Sequence, residues 1–242
     1  MKKSILLLAL SILSFTINTN AQQSSGNKIK GNGKIITEKR TTAEYDGIYV
    51  SGFFDVVLVS GTEGAISIKG EENLLPHIKV EVEGNILKIY SEKNLHFSTK
   101  KNIVLTVPFE QISSVSLSGS GDIVSKNTII CPTFKAKLSG SGDLTLDVKT
   151  TDFETNLSGS GDVVLTGSSD NLVSKTSGSG DVDAINLITK KANLTISGSG
   201  DMKANCSESL FARVSGSGDI TYKGNPKTKD TKVSGSGDIS KI

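Results

Sequence analysis

Tryptophan is absent from this 242-residue chain, proline occurs 4 times, and aromatic residues make up only 5% of it. With 25 glycines, that composition suits narrow, closely spaced strands better than a helical core. There are only two cysteines, Cys131 and Cys206, and neither follows the apolar N-terminal run. A lipid anchor of the usual bacterial kind is therefore excluded. No second apolar stretch approaches membrane-spanning length. Chemistry-bearing motifs are missing too. There is no Gly-rich phosphate loop before a helix, no His-Glu-x-x-His and no nucleophile elbow. The two histidines, His77 and His96, lie apart from any Cys or Asp constellation and read as surface or turn residues.

The N-terminus has the pattern of a cleaved leader. Lys2 and Lys3 precede an apolar run, and Thr19-Asn20-Ala21 offers small residues for a signal peptidase. Residues 1–21 are read as a signal peptide and 22–34, polar and Gly-rich, as a flexible leader. The mature chain is expected to be soluble and exported to the periplasm, the cell surface or the medium. Removing residues 1–21 lowers the basic count from 27 to 25, equal to the 25 acids. A chain with no net charge has no general attraction for nucleic acid or anionic membrane.

What dominates the sequence is a repeat. Ser-Gly-Ser-Gly-Asp occurs seven times, with its aspartate at Asp122, Asp143, Asp162, Asp181, Asp201, Asp219 and Asp238. Successive spacings are 21, 19, 19, 20, 18 and 19 residues, the signature of a stacked array. A degenerate eighth copy lies upstream, where Val50-Ser51-Gly52-Phe53-Phe54-Asp55-Val56 aligns with Leu157-Ser158-Gly159-Ser160-Gly161-Asp162-Val163. Apolar residues flank each copy with period 2, as in strands with one buried face. Carried through the motif, Leu157, Gly159, Gly161 and Val163 point inward, and Ser158, Ser160 and Asp162 outward. One repeat cannot bury its own apolar face, so coils must stack. The fold class is all-β, a parallel β-helix or β-solenoid with 18–21 residues per coil in residues 113–242. Residues 35–112 form a less regular β part, with six strand-like segments and turn chemistry at Glu83-Gly84-Asn85. A disulfide is not expected. Cys131 and Cys206 sit about four rungs, or roughly 19 Å, apart, and a bridge needs Cα atoms within about 7 Å. Cys131 is expected beside Pro132 in a loop.

Three stretches carry a family resemblance. Tyr45-Asp46-Gly47-Ile48-Tyr49-Val50-Ser51-Gly52-Phe53-Phe54-Asp55-Val56 is similar to the opening of the autotransporter-adhesin head (GIN) domain family. Gly84-Asn85-Ile86-Leu87-Lys88-Ile89-Tyr90 and Ile103-Val104-Leu105-Thr106-Val107-Pro108 resemble its middle strands, and the Ser-Gly-Ser-Gly-Asp coils its repeats. The resemblance implies a right-handed β-helix-like fold and an exported domain. It brings no catalytic or ligand residues to carry over.

The motif has a sharp reading and a bland one. Stacking places the seven aspartates in a column, where neighbours about 4.8 Å apart repel by roughly 0.9 kcal/mol per pair even in water. Calcium bound along Asp122, Asp143, Asp162, Asp181, Asp201, Asp219 and Asp238 would relieve that repulsion. The bland reading is a structural corner, in which Asp and Ser bond to backbone and Gly supplies unusual dihedrals. The corner is preferred, because it uses all five residues without a ligand. A polysaccharide-active enzyme is the alternative from another class, since parallel β-helices host such activities. Here the aspartates are too uniform to single out a catalytic pair. An ice-binding hydroxyl ladder ranks below both. The reading is therefore a binding or structural module, adhesin-like at the envelope, with no catalytic residue and no cofactor. Its expected partners are a glycan or an envelope protein, and its last coil is expected to allow end-to-end self-association.

Overall fold

Burial follows the alternation written in the sequence. In the strand Leu144–Gly159, the side chains of Leu144, Leu146, Val148, Phe153, Thr155 and Leu157 are buried, and their neighbours face outward. The computed structural model describes residues 27–99 and 101–242. The signal-peptide reading of residues 1–21 lies outside the described residues. Those that are described are 70% strand, with a single 3-10 turn at Leu75–His77.

Each coil is two extended runs joined by two bends. The Ser-Gly-Asp corner separates one coil from the next, and a second bend lies near Thr151 and Asp152, where two successive residues face solvent. Coils stack in parallel register, so that like residues form columns. Ile123, Leu144, Val163, Val182, Met202, Ile220 and Ile239 make one column. Leu117, Leu138, Leu157, Thr176, Ile196, Val214 and Val233 make the facing one. Apart from Val233, which is exposed in the last coil, these columns line the core of a β-solenoid of about 7 turns. The repeat length varies because irregularities away from the motif absorb the difference. Register shifts fall between Val164 and Thr166 and between Ala184 and Ile188, while the motif itself stays aligned.

The N-terminal part is solenoid and cap together. Val50, Ser51 and Gly52 pair with Leu117, Ser118 and Gly119, and Val56 pairs with Ile123. The degenerate copy is thus a true rung. Beneath it lies a coil that comes later in the chain, Ile86–Ser91 under Gly47–Gly52 and Val104–Phe109 under Asp55–Ser60. The chain enters the second coil, drops to the first, and returns to the third. Antiparallel strands then close this end. Ile35–Thr41 pairs with Ala65–Glu71, and Ile78–Glu83 forms a hairpin with Ile86–Ser91. Gly84 and Asn85, at φ 57° and 63°, give the hairpin its tight turn.

Two expectations need correction. The leader read over residues 22–34 is partly built structure, because Asn27–Lys30 forms a parallel pair with Leu95–Ser98. The reason is the buried carboxylate of Glu71, which accepts the Gly33 N–H at 2.7 Å and the Thr99 hydroxyl at 2.6 Å. A Cβ on Gly31 would lie 2.0 Å from Glu71 Oε2, so the glycine there serves close approach rather than flexibility. Cys131 lies in the strand Ile129–Gly140 rather than in a loop. Both thiols are free.

The interior has one weakness. Thr155, Ser174 and Thr176 bury hydroxyls that have no hydrogen-bond partner. Thr176→Val is expected to raise stability by about 1 kcal/mol, because it removes an unsatisfied polar group at nearly constant volume. Gly161→Ala is expected to do the reverse, since its Cβ would fall 1.9 Å from the Gly142 carbonyl oxygen. A loss of about 3 kcal/mol follows from overpacking against backbone. Chemical denaturation of the two variants reads both signs.

Candidate functional site

At the corner, the two glycines and the aspartate of Ser-Gly-Ser-Gly-Asp each have a distinct task. Gly159 adopts φ +133°, a conformation closed to residues with a side chain, and its carbonyl accepts two N–H groups from the next coil. Ser179 N donates at 2.9 Å and Gly180 N at 3.1 Å. Gly161 is buried with no room for a Cβ. Ser158, Ser160 and Asp162 face solvent, as the alternation requires.

The bend leaves the aspartate N–H to be satisfied by a side chain, and the aspartate of the preceding coil supplies the acceptor. Asp143 N donates to Asp122 Oδ1 at 3.1 Å and Asp162 N to Asp143 Oδ1 at 2.8 Å. The series continues from Asp181 to Asp162 at 3.0 Å and from Asp201 to Asp181 at 2.7 Å. It ends with Asp219 on Asp201 and Asp238 on Asp219, both at 2.8 Å. A hydrogen bond to a charged group contributes about 1.5–3 kcal/mol. That exceeds the roughly 0.9 kcal/mol of repulsion between neighbouring carboxylates in water. Each such bond outweighs the repulsion between the two carboxylates it links. Among the described residues, no group of three or more His, Cys, Asp or Glu side chains converges on one point.

The second bend carries its own ladder, which the sequence reading located only as turns. Cys131, Thr150, Ser169, Thr189 and Cys206 occupy one position in successive coils. The side chains of Cys131, Thr150, Ser169 and Cys206 donate to carbonyls across the bend, and that of Thr189 donates to Asn205 O of the next coil. Ser169 Oγ donates to Asn171 O at 2.8 Å, and Cys206 Sγ donates to Ser209 O at 2.9 Å. Burial pushes the Cys206 thiol up, which keeps it protonated. The two cysteines are thus ends of one column, four rungs apart. The signal was present as a Cys/Thr/Ser identity at one repeat position. His77 closes the 3-10 turn and contacts Glu92 Oε2 through Nδ1 at 2.9 Å, while His96 is exposed on the strand Leu95–Ser98. The two do not meet at a site.

A family model described as putative auto-transporter adhesin, head GIN domain, matches residues 44–226. The chain belongs to that family. Among solved structures, a putative adhesin from Bacteroides fragilis is similar, with TM-score 0.80 and 26% identity, over 88% of this chain and 100% of that one. A putative lipid binding protein from Parabacteroides distasonis has TM-score 0.75 and 24% identity, over 89% and 100%. A putative adhesin from Parabacteroides merdae has 0.67 and 20%, over 89% and 99%. The last two show the fold alone. A search of curated proteins found no match.

The GIN-domain corner displays three exposed columns side by side, two of serine and one of aspartate. A groove of about 280 Å³ runs beside the third, lined by Asp162, Asp181, Asp183, Asp201 and Lys203 among others. A larger groove of about 550 Å³ lies on the sheet leading into the corner, between Lys88 and Tyr49 on one side and Lys135 and Lys137 on the other. Its floor is low because Ser114 and Ser116 are small. The sequence reading did not single out these cations.

Asp181→Asn keeps the Oδ1 acceptor and removes a charge, so its stability is expected to equal or exceed that of the native chain. Asp181→Ala strands the Asp201 N–H and is expected to lose about 1–2 kcal/mol. Equal losses in both variants, read from urea melts, would overturn the acceptor role. Millimolar calcium is expected to leave the melting midpoint unchanged, and a rise of several degrees would assign the column to ion binding.

Proposed function

We propose that this GIN domain is an exported or cell-envelope, adhesin-like binding module rather than an enzyme. The observation that supports it most is the uniformity of the corner. Three exposed polar columns repeat over seven coils, and six of the seven aspartates accept the N–H of the next at 2.7–3.1 Å. Hydrolysis needs carboxylates of unlike environment at one defined separation. An array of equivalent groups suits many weak contacts along a linear partner, in which total affinity grows with the number engaged. Family membership supports the same reading.

The partner in this proposal is a glycan or an envelope protein. Self-association is a further part of it. The strand Thr228–Gly235 is exposed throughout, and among the described residues its pairing is with Met202–Gly216 on one side. A further coil, or a second copy, extends the ladder there, and sedimentation at rising concentration would reveal the latter as a shift from monomer.

Incubation of the protein with a panel of immobilised polysaccharides tests the main proposal. Retention without new reducing ends is the expected result. Release of reducing ends would replace the binding module with a polysaccharide-active enzyme.

A further inference from the structure

We infer that the sheet face leading into the corner binds an acidic polysaccharide that carries its charge on every second sugar, laid along the solenoid axis. The inference rests on the adhesin-like reading and names the ligand class. It starts from register. Lys137, Asn156, Lys175, Thr195, Arg213 and Lys232 hold one position in successive coils, each two residues before the first serine of the motif. Successive rungs are about 4.8 Å apart, so Lys137, Lys175 and Arg213 recur every two rungs, or about 9.6 Å. In an extended polysaccharide one sugar advances by about one such rung. Over the five rungs from Lys137 to Arg213, alternating acidic and neutral sugars therefore match alternating cationic and neutral rungs, and Lys232 adds a further cation on the rung after Arg213.

The groups between the cations suit sugar hydroxyls. Asn156 and Thr195 fill the neutral rungs, and the exposed serine column beginning at Ser139 and Ser158 runs alongside. Lys137 and Lys175 enter no ion pair among the described residues, which leaves them available. Arg213 is held flat, its guanidinium 3.8 Å from the Phe211 ring centroid and 2.8 Å from Asp230 Oδ2. Lys135 reaches Glu154 only at 3.8 Å. Five cations, Lys135, Lys137, Lys175, Arg213 and Lys232, thus stand against two acids, Glu154 and Asp230, a local excess of three. At the lower end the column runs into the groove holding Tyr49 and Lys88, where the tyrosine ring offers a face to a sugar.

Net neutrality of the mature chain hides this arrangement, because the fold sorts the charges. The seven repeat aspartates lie around the corner in their own column. A broad anionic surface such as a membrane would meet both columns and be repelled by the second. A single chain lying on the first meets a local excess of cations interleaved with neutral Asn156 and Thr195.

The experiment titrates the native protein by calorimetry at low salt with three oligosaccharides of equal length. These are a hyaluronan fragment, charged on alternate sugars, a galacturonan fragment, charged on every sugar, and an uncharged chitin fragment. Hyaluronan is expected to bind most tightly. Lys137→Ser combined with Lys175→Ser is expected to weaken it about tenfold, the product of two exposed ion pairs, with an unchanged melting midpoint. Unchanged affinity in the double variant, or tighter binding of galacturonan, would overturn the inference. So would binding to phosphatidylglycerol vesicles with none to hyaluronan. Chitin binding that ignores the lysines would leave the adhesin-like reading standing and remove this one. Failure of every glycan would overturn this inference and leave an envelope protein as the partner in the adhesin-like reading.

Discussion

The stack depends on one contact, backbone against backbone at the corner glycines. A Cβ on Gly142, Gly161, Gly180 or Gly200 would fall 1.9–2.0 Å from a carbonyl oxygen of the coil before. No side chain fits there, so the coils can close to strand spacing only where glycine recurs in register. Once that distance is set, the aliphatic columns on either side meet, and each aspartate carboxylate reaches the N–H of the next coil. The hydrogen bond, the core and the surface columns are consequences of the same approach.

Where the glycine column stops, the protein changes strategy. In the degenerate copy Phe53 and Phe54 replace Ser-Gly, and the Phe54 ring is buried against Phe53 at a centroid distance of 4.8 Å. Large side chains can enter because the coil beneath, Ile86–Ser91 and Val104–Phe109, has no Ser-Gly-Ser-Gly-Asp corner, and the antiparallel strands that close the end pair with that coil. Those strands also cover edges that a bare coil would expose. The buried Glu71 fixes the entering chain to the same cap. Irregularity here is what lets a regular stack begin.

The surface repeats for the same reason that the core does. A solenoid turns each sequence position into a line, so a modest bias at one position becomes a column of charge. Carboxylates collect at the corner and cations on the sheet face beside it. The aspartate column is accounted for by hydrogen bonds within the protein. In the cation column Arg213 is tied to Asp230, while Lys137 and Lys175 enter no ion pair among the described residues.

Seven copies of a five-residue motif, flanked by alternating apolar residues, were enough to determine the stacked parallel coils. The same alternation placed Leu157, Gly161 and Val163 inside and Ser158, Ser160 and Asp162 outside, because a strand has period 2. The eighth rung at Val50 and Asp55 was also legible, since its apolar flanks and Gly52 survive where its second glycine gives way to Phe54. The role of the aspartates was half legible. Sequence could set a corner against an ion ladder, but the Oδ1 to N–H bond needs the bend's orientation. Three features were decided by tertiary structure alone. These are the coil Ile86–Ser91 slipping beneath an earlier one, the strand Asn27–Lys30 in a polar glycine-rich stretch, and the line of Lys137, Lys175 and Arg213. Each depends on which segments lie side by side, and long-range pairing is not encoded in any local window of residues.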